Sequence, residues 1–192
     1  MGRRKLTPEE TEAFRSRILD AALELFATQG FEAVSLRSIA AAVGCSPMTP
    51  YRYFRDKGDI FDAVRCLAFD RFATDQEAIA ARVPDPMKRI IELGRAYSRF
   101  ADQHPNDFRL MFEFDQPREM SPELAEAGRR SFATLREATA DAVDAGGLSG
   151  NVDTLAHLYW TSLHGIVTLD LAGKLVQGRS KASLLKALFN ER

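Results

Sequence analysis

Apolar positions recur at helical spacing along almost the whole chain, and no stretch alternates apolar and polar residues as a strand does. The first helix is read from about Pro8 to Thr28, where Phe14, Ile18, Ala21, Ala22, Leu25 and Phe26 form one stripe. Gly30 is placed to stop it, and Phe31 to fold back on its last turn. Ser35 is a good N-cap for a short second helix with Leu36, Ile39, Ala40 and Val43 on its buried face. Gly44 ends that helix, and Ser46 caps a third that begins at Pro47. Asp56 caps a fourth, carrying Ile60, Phe61, Val64, Leu67, Ala68 and Phe72 and running to about Ala81. Asp85-Pro86 reads as cap and first residue of a fifth that ends near Gln103. Pro105 opens a sixth; Asp115 to Met120 is a loop; Ser121-Pro122 opens a seventh to about Asp144. A Gly-rich break at 146–150 precedes an eighth helix from about Asp153 to Gly173, and Ser180 caps the ninth, to about Asn190. The expected fold is all-α, with about nine helices and no sheet.

Two prolines change the picture at one place. In "CSPMTPYRYF", Cys45 to Phe54, Pro47 and Pro50 fall inside the expected third helix. With Ser46 as cap, Pro47 is the first helical residue, where its missing N–H has no partner to lose. Pro50 removes the first intrahelical bond, back to the Ser46 carbonyl, and biases Thr49 away from helical angles. A tight or irregular first turn is expected. The second and third helices, joined by Gly44-Cys45-Ser46, form a helix-turn-helix.

Composition sets outer limits. The 192 residues are 45% hydrophobic and 28% charged, enough apolar material for one or two small cores. No apolar run approaches the roughly 18 residues of a membrane span, and Met1 to Phe14 does not resemble a signal peptide. Cys45 and Cys66 lack the spacing of a zinc site and form no disulfide framework. A cytoplasmic location is the simplest expectation. Net charge is −1, but residues 1–57 are net +2 and the remainder net −3. The sign favours an N-terminal contact with a polyanion. A small basic arm, with Arg3 and Arg4, adds to it, although a solvated terminus would read the same.

The stretch "ILDAALELFATQGFEAVSLRSIAAAVGCSPMTPYRYFRDKGDIFDAV", Ile18 to Val64, resembles the DNA-binding domain of TetR-family transcriptional regulators. Trp160 and His164-Gly165 are similar to the Trp…His-Gly signature of one group of C-terminal domains in that family. The resemblance implies a homodimer, each subunit with a three-helix DNA-reading domain and a helical effector-binding and dimerisation domain. Here these are placed at 14–74, with the helix-turn-helix at about 35–54, and at 75–192. Pro50 departs from the pattern, since the family mostly has Leu or Ile there.

The start of the second helix of such a pair enters the major groove. Pro47, Met48, Thr49, Arg52 and Tyr53 are the groove-facing candidates. Thr49 can donate or accept at a base edge, and Tyr51 and Tyr53 can reach phosphate oxygens. Arg37 and Lys57 lie in first turns, where a cation opposes the helix dipole, a placement that a bound phosphate would reverse. With Arg3, Arg4 and the caps Ser35 and Ser46, these complete the candidate DNA-binding set. Phe54 is expected to pack inward.

In the second domain most aromatics read as bundle core. Phe100, His104, Phe108, Met111, Trp160 and His164 are the candidates to line an effector cavity. The helix from Asp153 to Gly173 is apolar on nearly every side and should be buried all round, one side against a partner. Leu158, Gly165 and Leu169, with Leu185 and Phe189 of the last helix, are the candidate dimer interface. Asp153, His157 and His164 invite a metal reading, but His157 and His164 lie about 10 Å apart along the helix, too far for one ion. No metal, cofactor or catalytic residue is expected.

The function expected is a ligand-responsive regulator, a repressor by family habit, binding a near-palindromic operator in double-stranded DNA as a dimer. A small hydrophobic effector would release it. The alternatives are an enzyme built on a helical bundle, for which no nucleophile–base pattern, phosphate loop or metal spacing is present, and a DNA-binding protein indifferent to ligands. Operator, effector, sign of regulation and regulated genes are not written in the residues.

Overall fold

Thr7 closes a capping box: its Oγ1 accepts from the Glu10 N–H at 3.2 Å, and its own N–H donates to Glu10 Oε2 at 2.9 Å. From this cap onward the computed structural model describes residues 7–113 and 119–189. Among the described residues eight α-helices occur in order: α1 (Pro8–Ala33), α2 (Leu36–Val43), α3 (Lys57–Arg82), α4 (Pro86–Gln103), α5 (Pro105–Phe112), α6 (Pro122–Asp144), α7 (Val152–Leu171) and α8 (Lys181–Leu188). A 3-10 turn, Pro50–Arg52, lies between α2 and α3, and no strand is found among the described residues. The described residues thus form the expected all-α fold, with the expected third helix present as a single 3-10 turn.

Gly30 leaves helical geometry at φ 80°, ψ 164°, although the hydrogen-bonded element continues to Ala33. The break lets Phe31 turn back and stack on Phe26, with ring centroids 5.9 Å apart. Side-chain caps set the other starts: Ser35 for α2, Asp85 for α4, Asn151 for α7 and Ser180 for α8. Asn151, two residues before the expected start at Asp153, accepts from the Thr154 N–H at 3.0 Å.

The described contacts group the chain into two compact units, Met1–Phe69 with Asn106–Glu126, and Asp70–Pro105 with Ala127–Arg192. The first unit buries Ile18, Ala22, Phe26, Ile39, Ile60 and Phe61 completely. α5 belongs to this unit because Leu110 enters the same core and its carbonyl accepts from Arg65 Nε at 2.9 Å. Arg65 is almost buried, and burial holds its guanidinium below the usual arginine range, with the Asp62 carboxylate acting against that shift. A division at residue 74 would be continuous in sequence, whereas α5 packs with the first unit.

The second unit packs α4 against α7 and α7 against α8. Ile90 and Leu93 of α4 and Ala138 and Ala142 of α6 share its core. Phe189 lies against Gly94 and stacks on Tyr159 at 6.5 Å. Lys181 Nζ bridges Asp102 at 2.7 Å and Asp170 at 2.8 Å, tying the start of α8 to α4 and α7.

Candidate nucleic-acid interface and ligand-binding residues

α2 is built to start and stop sharply. Ser35 Oγ accepts from the Ser38 N–H at 3.1 Å, and Ser38 Oγ accepts from the Ser35 N–H at 3.0 Å. Gly44 adopts φ 75°, ψ 38°, a left-handed conformation that costs glycine little. Its N–H reaches the Ala41 carbonyl at 3.1 Å and that of Cys45 reaches Ala40 at 2.9 Å, the crossed pair of a Schellman cap. Arg17 Nη2 donates to the last helical carbonyl, Val43, at 3.0 Å.

The chain then runs through a tight segment. Thr49 N–H bonds to Ser46 O at 2.8 Å, Arg52 to Thr49 at 3.1 Å and Tyr53 to Pro50 at 3.0 Å, all three-residue closures. The tight turn expected from the prolines is present. The expected bias on Thr49 is absent: its angles, φ −67°, ψ −44°, are helical. The i−3 bonds overcome the steric preference before proline. Pro50 is buried, so it keeps the apolar contact of the usual Leu or Ile while lacking the N–H.

This segment holds the reading candidates apart from the core. Met48 is 68% exposed and Tyr51 53%. Ser46, Pro47 and Arg52 are also exposed, and Thr49 is half-buried. Phe54 is 4% exposed and closes the core, as expected. Tyr53 is half-buried and stacks on Phe14 at 5.4 Å, so its ring belongs to the scaffold. Arg37 and Ser35 are exposed at the start of α2. Arg3 and Arg4 lie outside the described residues.

Lys57 has a local reason for its position. Its Nζ donates to the carbonyls of Phe31 at 2.7 Å and Glu32 at 3.3 Å, and sits 4.2 Å from the Phe31 ring centroid. It thereby serves the C-terminal end of α1, where a cation is favoured. Sequence spacing of 26 residues hides this contact. Next to it, Arg55 pairs with Asp59 at 2.8 Å, which raises the Arg55 pKa; the pair is exposed.

The ligand-binding candidates divide. Phe108 and Met111 belong to the first unit and are buried. Phe100, His104, Trp160 and His164 belong to the second. There Phe100 is buried and packs on Phe72 at 5.2 Å and His104 at 5.0 Å. Tyr97, read from sequence only as core, joins two candidates. Trp160 hydrogen-bonds Tyr97, and Tyr97 Oη lies 2.9 Å from His164 Nδ1. The indole N–H can only donate, so the phenol oxygen accepts from Trp160. On the other side of the imidazole, His164 Nε2 lies 3.4 Å from Thr168 Oγ1. Burial pushes the Tyr97 phenol above the usual tyrosine range. The signal available in sequence was its spacing, three residues before Phe100 on the same helix.

His157 Nδ1 meets its own helix at Asp153 O, 2.6 Å away, and its ring lies 4.7 Å from that of Phe132. Among the described residues no group of three His, Cys, Asp or Glu is placed to hold a metal ion, and no helix is long and apolar enough to cross a membrane. Of the candidate interface, Leu158 is 57% and Leu169 44% exposed on this chain, while Gly165, Leu185 and Phe189 are half-buried. The buried residues of α7 are Ala156, Leu163 and Val167, so within the chain it is covered on one side and not all round.

Comparison with known proteins agrees with this geometry. The family described as "Bacterial regulatory proteins, tetR family" matches residues 18–64, and "Tetracyclin repressor-like, C-terminal domain" matches residues 90–191. The regulator UidR of Escherichia coli K12 is 26% identical over 189 residues, 94% of this chain and 93% of UidR. AcrR of Shigella flexneri is 34% identical over 88 residues, which span 45% of this chain and 41% of AcrR. A solved protein of unknown function from Rhodococcus sp. RHA1 superposes with a TM-score of 0.82 at 25% identity, covering 96% of each chain. The chain belongs to the tetR family of bacterial transcriptional regulators.

Proposed function

We propose that this regulator is a repressor that binds a near-palindromic operator as a homodimer and leaves it when a small hydrophobic effector occupies the second unit. The observation that carries the DNA-reading part is the segment Pro47–Arg52, which exposes Pro47, Met48, Tyr51 and Arg52 and is pinned by a Schellman cap on one side and the buried Phe54 on the other. Arg37 and Arg52 are exposed cations beside it, suited to phosphate oxygens or base edges. Ser35, Ser46, Thr49, Tyr51 and Tyr53 remain the polar contacts of this reading; Arg3 and Arg4 would extend it along the backbone.

The exposed Leu158 and Leu169 of α7 support pairing of α7, with Gly165 and α8, to the same helices of a second copy. Phe100, His104, Trp160 and His164, with Tyr97 added, are the residues proposed to meet the effector. The polar atoms of Trp160, Tyr97 and His164 already bond one another, so an effector with a polar end would compete for them, and an apolar one would stack beside them. Either must bind the DNA-competent and DNA-incompetent states unequally to act as a switch. The protein is proposed to act in the cytoplasm, without a catalytic role.

A gel-shift experiment with DNA from upstream of the protein's own gene, with and without a pool of hydrophobic metabolites, tests the reading. A retarded band that one compound releases is expected. Retardation that no compound changes would leave a DNA-binding protein without a ligand switch, and absence of any retarded DNA would count against the operator.

A further inference from the structure

The backbone of the reading segment offers few free N–H donors. Pro47 and Pro50 have no N–H. The N–H groups of Thr49, Arg52, Tyr53 and Phe54 bond to carbonyls inside the segment, and that of Met48 bonds to Ser46 Oγ at 3.4 Å. Its most exposed large hydrophobic side chain is Met48, at 68%. A thioether donates no hydrogen bond and accepts only weakly. What Met48 offers is a flexible, polarizable apolar surface. Exposed Pro47 on one side and the Thr49 methyl on the other extend that surface.

The base edges of the major groove carry one apolar group, the 5-methyl of thymine. We propose that Met48 sets the base preference of this protein by packing on thymine methyl groups, so that its half-site is read through methyl contacts as well as hydrogen bonds. This rests on the DNA-binding reading above. Arg52, exposed and without a partner among the described residues, is the group on the segment suited to a guanine edge, and it supplies the competing outcome.

The test uses the full chain. Binding sites are selected from a duplex library with a randomised core, and the recovered duplex is resynthesised with deoxyuridine in place of thymidine, one position at a time. This removes the methyl and keeps the O4 acceptor. Binding is expected to weaken about fourfold for each contacted methyl, the factor that burial of one CH₂ supplies, and on the order of tenfold when both half-sites are changed. Met48→Ala should bind thymine and uracil duplexes equally well, and Met48→Leu should keep the discrimination. Because Met48 is mostly exposed, both variants are expected to fold. Equal binding of both duplexes by the unchanged protein, or discrimination that persists in Met48→Ala, overturns the proposal. Recovery of no duplex from the library overturns the DNA-binding reading itself, so the two failures are told apart.

Discussion

A lysine in the first turn of a helix opposes that helix's dipole by about 0.3–1 kcal/mol. Lys57 tolerates this because its amine caps the end of α1 through the Phe31 and Glu32 carbonyls. Arg37, in the equivalent place on α2, is exposed and has no such partner among the described residues. A salt titration of operator binding separates them: Arg37→Ala should lower the slope by about one unit, whereas Lys57→Ala should chiefly cost about 1–2 kcal/mol of stability from its lost hydrogen bonds. A full unit lost from the slope in Lys57→Ala would restore it as a phosphate contact. Gly94 is another residue whose role lies far along the chain. A Cβ there would stand 2.1 Å from the Phe189 ring. Gly94→Ala should therefore destabilise by about 1–3 kcal/mol, and much less in a Phe189→Ala background; equal costs in both backgrounds would show that the two do not interact. Tyr97 carries a pH signature. The unfolded chain ionises near pH 10.0, while burial keeps the folded phenol neutral to higher pH. The stability this confers is complete below pH 10 and falls as pH rises above it. Tyr97→Phe should flatten that alkaline decline, leaving the same-signed contribution of Tyr159, at a cost near neutrality of about 1 kcal/mol for the lost hydrogen bonds. Chemical denaturation between pH 8 and pH 11 would show it.

At the level of helices and turns, the segment after α2 departs most from periodicity. Its apolar pattern suits an α-helix, but two prolines and a run of i−3 bonds make it a 3-10 turn. Pro50→Leu keeps a buried apolar side chain and restores a donor for the Ser46 carbonyl. Stability should change by less than about 1.5 kcal/mol, while the site selected from a randomised duplex library should change, because Met48 and Thr49 would be carried on a wider α-turn. An unaltered selected site would show that the 3-10 geometry does not matter for reading. The capped helices were more legible. Ser35 and Ser180 stand immediately before apolar periodicity, and both close reciprocal caps with a serine three residues on. Asn151 was less visible because the polar run before it offers several possible caps.

For the assembled protein, the exposed side of α7 is where the proposed pairing of two copies is tested. Asp153, Thr154, His157, Leu158 and Thr161 line an open groove of about 470 Å³ on it. Large exposed leucines on an otherwise packed helix are expected at an interface between copies. Leu158→Glu with Leu169→Glu should yield a monomer in sedimentation at micromolar concentration, with helical content retained and operator affinity lost, since each half-site alone supplies too few contacts. A double variant that still sediments as a dimer would place the interface elsewhere. The exposed turn after α2 was legible because its caps and prolines act locally. The grouping of the effector candidates was not, because helix phase alone cannot tell which aromatics share a unit: Phe108 and Met111 went to one, Phe100 and Trp160 to the other.

Short-range chemistry in the chain was enough to establish an all-helical protein, its caps and stops, and a helix-turn-helix with a constricted second element. These depend on neighbours three or four residues apart, where backbone geometry is shared. Folding alone assigned α5 to the first unit, turned Lys57 back on Phe31, seated Phe189 on Gly94 and strung Trp160, Tyr97 and His164 into one hydrogen-bonded chain. Each of these contacts joins residues at least 26 positions apart or separate elements, and each is selected by which surfaces bury together, a quantity that no local pattern contains.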